Sequence, residues 1–159
     1  MGAPKIGGFS GGALLDMLGV HVYKDVDLAA AADMFTITNA IQINRIYAKV
    51  TTAVVTTTTL KFRRKTDNVD MCAATTITSD VVNTLYLWSG DAGAILSGTL
   101  AAGDAPVVGV AHLAGGPASP VIFDPSGTIE AILDGAGTGI IRFHLWYTPL
   151  EAGSKVVAA

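Results

Sequence analysis

From Ile140 to Tyr147 the chain alternates without a break. Ile141, Phe143, Leu145 and Tyr147 fall on one face of an extended strand, and Ile140, Arg142, His144 and Trp146 fall on the other, because successive strand side chains point to opposite sides of a sheet. The first face is core. The second carries a cation, an imidazole and an indole, the profile of a surface covered only in part, as by another subunit. Before it stand Thr128–Leu133 and the loop Asp134-Gly-Ala-Gly-Thr-Gly139. Together they read as a closing hairpin whose glycines supply positive φ in a wide turn.

The same period of two recurs upstream. Phe35, Ile37, Ile41 and Ile43 keep even spacing, after which the apolar phase moves to Ile46, Ala48 and Val50, so a bulge is expected near Asn44-Arg45. Thr51–Thr59 holds six threonines and reads as a strand pair or one long strand with a polar face. Leu60 and Phe62 continue the alternation into the basic run Lys61, Arg63, Arg64 and Lys65, which reads as a solvated strand end before the turn at Thr66-Asp-Asn68. Further strands are expected at Thr75–Thr78, Thr84–Trp88, Ala94–Leu100, Pro106–His112 and Pro120–Phe123, separated by Gly, Pro and Asp turns about every ten residues. Asp27–Met34 is alanine-rich and too short for more than a helical turn or a loop. No βαβ period exists, so the fold class expected is all-β, an antiparallel β-sandwich or barrel.

The first dozen residues contain five glycines and one proline and no periodic pattern. Residues 1–15 are therefore expected to form a flexible N-terminal arm that orders against a neighbour, with Phe9 and Ser10 as its candidate shell or neighbour contacts, and residues 16–159 to form one β-sandwich domain. At 159 residues such a domain buries roughly 68–70% of the surface its unfolded chain exposes. The arm lacks the charged and apolar regions of a secretory signal, and Ile6 stands where a myristoylation motif needs Ser or Thr. No apolar run reaches the length of a membrane span, so no membrane partner is expected.

Half the residues are hydrophobic and only 14% are charged, against roughly 25% in an ordinary soluble domain. Such a chain exposes broad neutral Ala, Thr and Gly surface, or covers it with partners; burial in an assembly is the expectation. A net charge of −3 speaks against direct nucleic-acid binding, which needs a basic face to displace counterions from phosphates.

The motifs for chemistry are sparse. Gly8-Phe-Ser-Gly-Gly12 matches the string of a hydrolase nucleophile elbow, but no strand precedes it and no α/β pattern follows. His21, His112 and His144 each stand alone in their segments, without the close same-strand pair and nearby carboxylate of a cupin-type metal site. Spacing alone does not place the three relative to one another. Asp16, Asp25, Asp27 and Asp33 lack the alternation and central glycine of a calcium loop. Cys72, the single cysteine, reads as a small packed residue. No enzyme, metal or cofactor is expected.

The Gly-rich arm, the segment Ile37-Thr-Asn-Ala-Ile-Gln-Ile-Asn-Arg-Ile-Tyr47 with its Thr-rich continuation, and the closing Gly127-Thr-Ile-Glu and Arg142-Phe-His-Leu-Trp-Tyr-Thr-Pro149 resemble small head proteins of tailed bacteriophages, the decoration or cement proteins. The resemblance implies a jelly-roll sandwich, a homotrimer, and a seat on the capsid exterior over the major capsid protein after synthesis in the host cytoplasm. It carries no functional residue across by position. Arg142, His144 and Trp146 are the candidate subunit contacts from the strand pattern alone. The alternative is a carbohydrate- or ligand-binding β-sandwich module with Trp88 or Trp146 as a stacking platform.

Overall fold

The computed structural model describes residues 19–56, 58–88, 96–98, 121–124 and 126–159. The arm with Phe9 and Ser10, the Gly8–Gly12 string, Asp16, His112, the strand expected at Pro106–His112 and the ends of the one at Ala94–Leu100 lie outside the described residues.

Twelve strands are described: β1 (Val20–Asp27), β2 (Ala32–Thr38), β3 (Ile41–Thr52), β4 (Thr59–Arg64), β5 (Val69–Asp70), β6 (Thr75–Thr76), β7 (Leu85–Trp88), β8 (Leu96–Gly98), β9 (Val121–Phe123), β10 (Gly127–Leu133), β11 (Ile140–Pro149) and β12 (Lys155–Ala158). They form two antiparallel sheets that pack on each other. The first runs β1-β11-β3-β7-β8 with β9 also on β3, and the second runs β12-β2-β10-β4-β5 with β6 also on β4. From β1 to β4, and again from β9 to β12, each successive strand joins the opposite sheet. With β8 and β12 set aside as added edges, the orders β1-β11-β3-β7 and β2-β10-β4-β5 are those of two Greek keys folded face to face, a jelly-roll-like sandwich.

That order corrects one expectation. Residues 128–147 are not a hairpin, because β10 lies in the second sheet between β2 and β4, whereas β11 lies in the first between β1 and β3. Both strands have a core face, and two core faces are satisfied by meeting across the roughly 10 Å between sheets. Asp134–Gly139 is the crossing loop. Two of its three glycines take positive φ, 114° at Gly135 and 124° at Gly139, and a Cβ on Gly139 would stand 2.8 Å from the carbonyl oxygen of Ala53.

Thr51–Thr59 is corrected likewise. Strand β3 ends at Thr52 and β4 begins at Thr59, and the residues between carry the chain from the first sheet to the second with Val54 and Thr58 buried. The 27–34 segment is a turn followed by β2, fixed by the Ala29 amide donating to Asp27 Oδ1 at 3.0 Å and by backbone bonds tying Leu28 to Gly137 and Gly139. The expected bulge is present: Arg45 faces Trp146 and Ile43 faces Tyr147, with Asn44 as the extra residue. Its extra residue lets Ile43 and Ile46 both turn inward.

The core lies between the sheets. Ile46, Ala48, Val50, Ile141, Phe143 and Leu145 from the first sheet meet Phe35, Ile37, Leu60, Phe62, Ile129 and Ala131 from the second. Phe62 and Phe143 pack edge to face, 5.7 Å between centroids with planes 77° apart, the arrangement the aromatic quadrupole favours. Cys72 is buried as expected; the Phe62 amide donates to its Sγ at 3.3 Å, and burial raises the thiol above its ordinary range.

Candidate functional site: the outer face of the first sheet

With the inner positions of β1, β3 and β11 in the core, their alternate residues must stand on the opposite side of the sheet. Register puts His21 beside Trp146, Tyr23 beside His144 and Asp25 beside Arg142 on one flank of β11. On its other flank Arg45 faces Trp146, Tyr47 faces His144 and Lys49 faces Arg142. The three residues singled out in β11 therefore form the central row of a three-row patch.

The rings stack sideways across the strands. Trp146 stacks on His21, at 4.3 Å and 21°, with Tyr47 beside it at 5.2 Å and 22°. His144 lies between Tyr47, at 4.4 Å and 16°, and Tyr23, at 5.9 Å and 32°. His21 Nε2 and His144 Nδ1 are 3.0 Å apart, with ring centroids 5.2 Å apart and planes 8° from parallel. Those values set the two imidazoles edge to edge in nearly one plane, one nitrogen donating and the other accepting. Arg142 closes the row at the Tyr23 end, its guanidinium carbon 5.1 Å from that ring centroid while Nε and Nη2 donate to the two oxygens of Asp25 at 2.7 and 2.8 Å. A bidentate pair of this kind fixes geometry as well as charge.

The electrostatics follow from crowding. Burial among the rings, helped by the neighbouring His21, Arg142 and Lys49, pushes His144 from the ordinary 6.5 down to about 4. Burial lowers His21 as well. The hydrogen bond and charge of Arg142 hold the Asp25 carboxyl below its usual range, and burial raises Tyr47. Near neutral pH this is a pair of uncharged imidazoles in an aromatic stack, bordered by Arg142, Lys49 and Arg45.

The other sequence candidates lie elsewhere. Trp88 is 7% exposed on the inner side of β7 and donates its indole N–H to the Met71 carbonyl at 3.2 Å, so it offers no platform for a sugar. The basic run is not simply solvated; each member has its own carboxylate. Lys61 pairs with Asp70, Arg63 with Glu130 at 2.7 Å, Arg64 with Asp67, and Lys65 with Asp33. Glu130, on the outer side of the second sheet, is nearly covered by this arrangement. Asp25, Asp27 and Asp33 serve three separate partners, Arg142, the Ala29 amide and Lys65, and form no common loop. Of the histidines, His21 and His144 converge. Among the described residues no three of His, Cys, Asp and Glu group as a metal cluster.

Tyr23, Tyr47 and Lys49 are members of the patch that strand-by-strand reading missed. Their signal was present: Arg45, Tyr47 and Lys49 alternate with buried Ile46, Ala48 and Val50. Comparison with protein-family models, curated proteins and solved structures gives no match to this chain.

Proposed function

We propose that this chain is a non-enzymatic structural protein of a virion, one that decorates and cements a bacteriophage capsid from outside as a homotrimer seated on the major capsid protein. The observation that carries this reading is the stacked row on the first sheet. Trp146 stacks on His21 and Tyr47 on His144, so the patch presents ring edges, hydroxyls and a neutralised guanidinium on a rigid sheet. Such a surface suits broad protein contact, in which aromatic and Arg side chains supply most of the energy. A sugar-binding platform needs an open ring face, which the buried Trp88 does not have. Ion pairing of five cations with carboxylates lowers the free surface charge further and leaves extended neutral area for neighbours. The jelly-roll frame and the sequence resemblance agree with the same role.

Sedimentation of the purified chain across concentrations, with binding to undecorated phage capsids, tests the proposal. A defined oligomer that coats capsids is expected. A chain that stays monomeric at high concentration and leaves capsids bare overturns it. A saturable response in a glycan screen would favour the carbohydrate module instead.

A further inference from the structure

We infer that the end of the sandwich where four loops cross between the sheets is a docking surface for a protein partner whose contact site is apolar at its centre and rimmed by Lys or Arg. The assignment rests on the capsid role proposed above and makes this end the seat on the shell, with the aromatic row left for contacts between subunits. The loops are 28–31, 53–58, 77–84 and 134–139, and each joins a strand of one sheet to a strand of the other. Hydrogen bonds tie them into one floor. The Leu28 amide donates to the Gly139 carbonyl at 3.1 Å, the Thr56 hydroxyl to the Ala136 carbonyl at 3.4 Å, and the Val54 amide to the Asp80 carbonyl at 2.9 Å. A partner therefore meets loops that are already held in place, which lowers the ordering cost of binding.

What this floor displays is apolar. Val55 is 73% exposed, Val82 47% and Val81 37%, and the bond from Val54 to Asp80 brings their two loops side by side. Ala29, Ala30 and Ala136 are exposed on the neighbouring loops. Apolar groups gathered in this way mark contact sites. The charge is one-sided. The four loops contain no Lys, Arg or His; their carboxylates are Asp80, Asp134 and, at the end of β1, Asp27, and among the described residues none of the three pairs with a cation. The opposite end, where β4 and β11 finish, carries both signs, with Arg64 paired to Asp67 and Glu151 followed by Lys155. Unpaired carboxylates around an apolar floor complement a partner with cations around an apolar site, and they repel an anionic membrane. Symmetry supplies the rest of the geometry. Rotation about a three-fold axis sets the same end of every subunit at one height, so a trimer brings three such floors to the shell together and their contacts reinforce one another.

The full chain and its variants are titrated onto undecorated phage capsids, and bound protein is separated from free by sedimentation. Val55→Ser combined with Val82→Ser should weaken binding by about tenfold. Asp134→Lys should weaken it at low salt and less at high salt, while Glu151→Lys at the opposite end should leave it unchanged. All three variants should keep the oligomeric state of the wild type, because none of them alters the aromatic row. Should circular dichroism show that the double serine variant fails to fold, hydrogen exchange on the wild type decides, with protection of 53–56 and 77–84 expected on capsids. A wild type that leaves capsids bare overturns the capsid role and this assignment together. A wild type that coats them while the folded variants bind equally well, or without protection of those loops, overturns the docking surface alone. Loss of the oligomer in the double serine variant would show that the floor meets a second copy and likewise overturns it.

Discussion

Phe62 and Phe143 meet edge to face at 5.7 Å, one from each sheet, and this contact closes the middle of the sandwich. Both rings are essentially inaccessible to water, so truncation leaves a cavity that the two strand frameworks cannot collapse to fill. Phe143→Ala is expected to cost about 3–5 kcal/mol in chemical denaturation. Because the rings share one contact, the double alanine variant should cost less than the two single changes added together. Additive losses would mean the rings pack independently.

Trp146 belongs to the other face of the same strand, and its substitution should have a different consequence. Trp146→Ser removes the stack on His21, which contributes about 0.5–1.5 kcal/mol, but leaves the inward Leu145 and Tyr147 in place. Self-association measured by sedimentation should weaken by more than tenfold while the monomer's thermal midpoint falls by only a few degrees. A monomer that unfolds outright would mean that the outward row supports the core.

The pair Arg63 and Glu130 should respond asymmetrically. The Glu130 side chain is 8% exposed and that of Arg63 is 29% exposed. Arg63→Ala strands a carboxylate away from water and should cost about 3 kcal/mol. Glu130→Ala leaves a guanidinium that can turn toward solvent, and the loss should be nearer 1 kcal/mol. Urea denaturation of the two variants checks the order, and equal losses would show that Glu130 reaches solvent once its partner is gone.

How far these features could be read from sequence depends on what kind of information they need. The inward and outward faces of β3 and β11 follow from alternation alone, and so does the bulge at Asn44, where the phase slips by one. Alternation identifies a residue's face but not its neighbouring strand. That is why Asp134–Gly139 read as a hairpin turn, although Ile129 and Phe143 belong to opposite sheets. It is also why His21 and His144, separated by more than a hundred residues, appeared as isolated histidines before register placed them side by side. Strand β12 is short, and only Val156 within it is buried, so its pattern is too brief to signal a strand. The pairing of the basic run was hidden for a related reason: Asp33 and Glu130 come from β2 and β10, and only the sheet order brings them to β4.

The histidine pair predicts the direction of the acid response. His144 is lowered to about 4 from an ordinary 6.5, first by burial and then by His21 and Arg142, and His21 is lowered by burial. Between those two values the unfolded chain binds more protons than the folded one, so stability rises with pH across the window. The contribution is therefore fully present above about pH 6.5 and is lost as pH falls toward 4. Aspartates held by cations, such as Asp25, begin to matter only lower down. The thermal midpoint of the wild type should accordingly drop between pH 7.5 and pH 5, and that of His144→Gln should drop less, because the substituted residue cannot take up a proton in either state. The residual slope in the variant belongs to His21 and to any titration outside the patch, and the double glutamine variant should reduce it further. Identical slopes in wild type and His144→Gln would mean that the imidazole takes its proton as readily in the folded stack as in the unfolded chain.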